Sequence, residues 1–125
     1  MKFAKGFLLI NSVLFVFFGL SFIFAPSYFT HLFTGGAFTT SSAAIDVRAT
    51  YGGLGVGLGV WLLLCVKEHI RLGILGCIVV LASIVLGRVV GLVLDESPNR
   101  IMYFFLVTEI GFLIAAIFGL RKLGK

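Results

Sequence analysis

Charge is what this sequence has least of. Only 12% of its 125 residues are charged, 60% are hydrophobic, and the mean hydropathy is +1.18. Soluble domains run near half apolar and about a quarter charged. So few polar groups cannot coat a water-facing globule, which excludes a soluble domain and places the chain in the membrane class. Acids are scarcest, five against ten Lys and Arg. The basic excess sits at the ends of apolar runs and not in an aromatic-studded patch. It reads as topology signals and anionic-lipid contacts, which argues against a nucleic-acid surface. There are two cysteines, Cys65 and Cys77, both inside apolar runs and without Cys-x-x-Cys spacing. They read as small apolar packing residues with no disulfide. His31 has no second His, Cys or acid at ligand spacing, so neither a metal nor a cofactor is expected.

What is abundant is apolar length. At ~20 residues per span the chain has room for four helices and no extramembrane domain. A single transmembrane domain over residues 1–125 is expected, an all-α four-helix transmembrane bundle made of two helical hairpins. Its helices are placed at about 5–25, 43–66, 71–94 and 101–120, with an outer interfacial segment at about 26–42. The first apolar run exceeds the ~7–15 residues of a signal peptide's core, so it reads as a retained span. Pro26 ends it, and Tyr28, Phe29, Leu32 and Phe33 follow at helical spacing suited to an interface. Ser41 or Ser42 is the expected N-cap of the second helix. Positive charge collects at the N-terminus, the Lys67–Arg71 link and the C-terminus, so both termini are expected in the cytoplasm.

The second helix opens with Asp46, Arg48 and Tyr51, then carries five glycines in the eight residues from Gly52 to Gly59. Such a run invites comparison with a phosphate-cradling loop, but neither G-x-G-x-x-G nor Gly-Lys-Ser/Thr fits it. Glycine in a membrane span instead lets a neighbouring helix come close. Arg48, Gly52, Gly55 and Gly59 share one helical face, which should look at protein. Gly53 belongs to the same run. A second strip, with Gly73, Gly76, Gly87 and Gly91, runs along the third helix. The short link between these helices suggests that the two strips pack on each other or on a second copy.

Asp46, Arg48, Arg88 and Glu109 are charges inside apolar helices. Placed by depth at ~1.5 Å per residue, Arg48, Arg88 and Glu109 reach one layer, roughly 7–12 Å below the outer boundary. An isolated charge there costs a few kcal/mol, so a cluster is expected. Glu109 would pair with Arg88 or Arg48, and Asp46 or Asp95 with the remaining arginine. Tyr51 and Thr108 can add hydroxyls. The cluster is either a structural network fixing helix order or a polar pocket for a lipid-like or anionic headgroup.

The signatures Asp46-x-Arg-Ala-x-Tyr-Gly-Gly and Gly87-Arg88-x-x-Gly-x-x-x-Asp95-x-x-Pro98, with Glu109 following, resemble the bacterial domain-of-unknown-function family 4345 over nearly the whole chain. More distantly the chain resembles DoxX-type four-helix membrane proteins. The resemblance implies a four-helix membrane fold with Arg48, Arg88 and Glu109 as its polar set, and implies no activity. The expectation is therefore a small multi-pass protein of the bacterial inner membrane that binds a partner or a lipophilic ligand. Membrane lipid, and a membrane-protein partner or second copy, are the partners expected. A proton-coupled transporter working through Glu109 is one alternative. A membrane enzyme acting on a lipid or isoprenoid is another, although no nucleophile–base pair supports it.

Overall fold

A computed structural model describes residues 1–95 and 98–123. Helix α1 (Lys2–Phe24) stops where Ala25 leaves helical geometry, at φ −138° and ψ 57°. The ring of Pro26 disfavours helical geometry in the residue before it, while Pro26 itself suits a first helical position. The chain restarts there as the short helix α2 (Pro26–Thr34), which ends at Gly35 with φ 78°. That left-handed conformation is one that glycine takes without steric cost.

Helix α3 (Ser41–Val47) is capped by Thr40, whose hydroxyl accepts from the Ala43 N–H at 3.1 Å. The cap thus lies one residue before the expected Ser41. A π-helical turn, Arg48–Gly53, joins α3 to α4 (Leu54–Glu68), and the three run on as one rod. His69 alone separates α4 from α5 (Ile70–Leu94). Helix α6 (Arg100–Leu123) follows; its N-cap is Asn99, whose side-chain oxygen accepts from Met102 N at 3.2 Å. Four rods are long and apolar enough to cross a membrane: α1, Ser41–Glu68, α5 and α6. Large apolar side chains stand outward along all of them, among them Val13, Leu64, Val79 and Val107. In water that surface would be an unpaid hydrophobic cost; against lipid tails it is the expected exterior.

The tightest seam lies between α1 and α4. A Cβ on Gly59 would fall 2.7 Å from the Ser12 carbonyl oxygen, and one on Gly19 would fall 2.6 Å from Val56 N. A Cβ on Gly52 would fall 2.5 Å from the Ile23 side chain, and one on Gly55 would fall 3.1 Å from Gly19 Cα. No side chain fits there, so the backbones themselves touch, and Ser12 Oγ donates to the Gly59 carbonyl at 2.7 Å. Arg48 also reaches Ile23. The face shared by Arg48, Gly52, Gly55 and Gly59 thus looks at α1, and not at the third span.

The glycines of α5 correct the expectation of paired strips. Gly73 lies under Leu8 and Cys65, and Gly76 under the Trp61 ring. Gly87 has no neighbour within 4 Å, and Gly91 meets only the carboxylate of Asp95. Gly53 meets only the Arg48 carbonyl. These three positions do not pack helices. A continuous strip cannot serve α4 and α5 along their length because α4 spends its glycine face on α1.

The end of the bundle where α1 begins and α6 ends, called here the basic end, carries the apolar core. Ala4, Phe7, Leu8, Leu62, Ile74, Cys77, Leu81 and Ala116 are buried together. Phe3 closes this end edge-on against Phe118, with ring centroids 5.2 Å apart. Cys65 and Cys77 are free and buried. Asn11 is buried too, but its Nδ2 donates to the Phe7 carbonyl of its own helix at 2.9 Å.

Candidate functional site

The distal end of the bundle, opposite the basic end, holds the intramembrane charges. Arg88 on α5 and Glu109 on α6 meet as a two-pronged ion pair. Nε donates to Oε1 at 2.6 Å and Nη2 to Oε2 at 2.8 Å. Their side chains are 20% and 17% exposed, so the pair is mostly withdrawn from its surroundings. The flat guanidinium fork matches the carboxylate, which gives this contact fixed geometry as well as energy. The remaining terminal nitrogen, Nη1, lies 3.4 Å from Met102 Sδ. The guanidinium carbon sits 5.3 Å from the centroid of the Phe105 ring, a favourable place for a cation.

From Phe105 a run of aromatic contacts crosses the distal end. Phe105 meets Phe33 edge-on at 5.3 Å, Phe33 lies 6.1 Å from Phe22, and Phe22 stacks on Tyr51 at 5.0 Å. Helix α2, which supplies Phe33, is tied down by Asn99, whose Nδ2 donates to the Phe33 carbonyl at 3.0 Å. One asparagine therefore caps α6 and anchors α2 across it. Through this aromatic run the ion pair and the head of the second span share one neighbourhood.

Arg48 does something different from the expected ion pairing. Its Nη1 donates to the carbonyl of Ile23, in the last turn of α1. Carbonyls there lack intrahelical donors, and a helix's C-terminal end favours a cation. The break before Pro26 creates this acceptor, and Arg48 takes it in preference to an acid. Asp46 is exposed, and its backbone carbonyl accepts from Thr50 Oγ1 at 2.6 Å. Asp95 is exposed beyond the end of α5, near Gly91. Among the described residues neither Asp46 nor Asp95 pairs with Arg48 or Arg88. Thr108 is not a member of the cluster either, since its hydroxyl donates to Phe104 in its own helix at 2.8 Å.

The distal layer is thus two arrangements. One is a closed pair, Arg88–Glu109, buffered by Met102 and Phe105. The other is a capped but exposed head, Asp46, Arg48 and Tyr51, set on and beside the π-helical turn. In the pair both Glu109 oxygens accept from Arg88, so the carboxylate is fully engaged. The head retains hydrogen-bonding capacity. Only one Arg48 nitrogen is committed, and among the described residues the Tyr51 hydroxyl makes no hydrogen bond. Asn99, Met102, Phe33 and Phe105 complete the neighbourhood. The sequence predicts Phe33 only as part of an interfacial segment, and its signal for Asn99 is the place before an apolar run, which marks a helix start.

No curated protein and no solved structure is significantly similar to this chain. The profile of one family, described as a domain of unknown function (DUF4345), matches residues 3–120. The chain belongs to that family.

Proposed function

We propose that this protein works by binding, as a small membrane-embedded accessory protein that holds a lipophilic ligand or a partner, and not by turnover. The observation that carries this reading is the double engagement of Glu109 by Arg88. A transporter coupled through Glu109, or an enzyme using it as a base, needs that carboxylate to exchange protons. Releasing it would leave two opposite charges unpaired in an apolar layer, at several kcal/mol.

The face left open for binding is that of Asp46, Arg48 and Tyr51. A π-helical turn within a longer helix is frequent at functional sites. The aromatic run beneath it, Tyr51–Phe22–Phe33, supplies apolar surface beside a cation, which suits an anionic group on a greasy body. Membrane lipid is one such molecule.

Two measurements on purified protein test this. In vesicles carrying a pH-sensitive dye, wild type and Glu109→Gln should show the same proton permeability. A flux that the substitution abolishes overturns the reading. In native mass spectrometry from mild detergent, Arg48→Gln should lose an adduct that wild type retains, and Arg88→Leu/Glu109→Leu should keep it.

A further inference from the structure

At the basic end, remote from the distal charges, an open cavity of about 480 Å³ lies between the start of α1, the α4–α5 corner and the end of α6. Its walls carry Lys5, Lys67 and Arg71, with Glu68 as the one acid, and Met1, Ile70 and Leu123 as apolar lining. The cations come from two places in the chain more than sixty residues apart. None of the three makes an ion pair within 4 Å or a side-chain hydrogen bond among the described residues. Among the described residues the one charged partner of Glu68 is His69, at 4.0 Å. Three lysine and arginine side chains therefore line one concavity, and among the described residues Glu68 is the one acid beside them.

We propose that this cavity is a binding site for a phosphate group, held by Lys5, Lys67 and Arg71. Its position selects that chemistry. The walls sit at the ends of membrane spans, the level at which lipid phosphates lie, and basic pockets between spans take anionic headgroups. Apolar lining from Ile70 and Leu123 suits the glycerol and first methylenes of a phospholipid. The first residues of α5, Ile70 and Arg71, bring the positive end of a long helix to the same space, and its N-cap His69 makes no side-chain cap bond. Glu68 sits where it opposes an anion. The site is independent of the Arg88–Glu109 layer, and either can fail without the other.

The experiment uses the full chain in an uncharged detergent, with retention of phosphatidylglycerol and phosphatidylcholine read by native mass spectrometry. Phosphatidylglycerol should be retained preferentially, and Lys5→Gln and Arg71→Gln should each lower its retention about fivefold. The control Lys2→Gln/Arg121→Gln removes twice the charge of either variant, all of it outside the cavity, and should lower it less than about twofold. Equal loss in the two sets, or equal retention of the two lipids, overturns the site. Should the cation variants not fold, Glu68→Gln decides: retention should rise about threefold, and an unchanged value overturns the proposal. Excess inorganic phosphate separates the sources. Displacement of the lipid assigns the cavity to free phosphate; undisturbed lipid assigns it to the headgroup.

Discussion

Two seams hold this bundle, and they use opposite chemistry. Between α1 and α4 the side chains are absent: Gly19, Gly52, Gly55 and Gly59 bring backbone against backbone, with one hydroxyl, Ser12, crossing over. Between α5 and α6 at the distal end the contact is long side chains, Arg88 and Glu109, reaching each other while Gly87 beside them stands open. The first seam is held by dispersion over a close surface and tolerates no added atom. The second is held by two charges that would be costly apart. The difference teaches what each can do. A seam without space tolerates no change at its glycines, whereas a clamp made of side chains can be neutralised as a pair.

The largest effect should come from opening the clamp on one side only. Arg88→Leu leaves Glu109 unpaired in an apolar layer and should destabilise the protein by about 3 kcal/mol, measured by reversible unfolding in mixed micelles. A loss below about 1 kcal/mol would mean that the carboxylate finds water or another donor at that depth.

Next is the glycine seam. Gly59→Val puts atoms where the Ser12 carbonyl and the α1 backbone already are, and should cost about 2 kcal/mol. Gly87→Val, one helix away in open space, should change stability by less than about 0.5 kcal/mol. If the two substitutions cost the same, close approach is not what holds α1 to α4. Smaller still, Ser12→Ala removes one buried interhelical hydrogen bond and should cost about 0.6–1 kcal/mol. The same unfolding assay reads it, and no change would reduce the seam to packing alone.

The four spans were legible because hydropathy and span length speak directly to each other. Pairing of Arg88 with Glu109 was also within reach, since residue counts from the distal loop place both charges at one depth. Arg48 was not legible by that route. Its partner is a backbone carbonyl released by the break at Ala25, and counting charges says nothing about carbonyls. The glycine strip of the second span announced a close approach but not to which helix. A short link to α5 suggested the wrong neighbour, because adjacency in sequence sets who is near, not who is closest. Asp95 looked suitable from its spacing to Arg88, yet α5 ends at Leu94 and its carboxylate lies over Gly91. The π-helical turn left no mark in the residue pattern at all.

The central claim is that Arg88 and Glu109 form one closed unit. A double-mutant cycle of Arg88→Leu, Glu109→Leu and the combined variant tests it most directly, by unfolding in the same micelles. The account predicts that the double variant is more stable than either single one, with a coupling of about 2–3 kcal/mol. Single effects that add to within about 0.5 kcal/mol would contradict it, and would return Glu109 to the pool of carboxylates free to move protons.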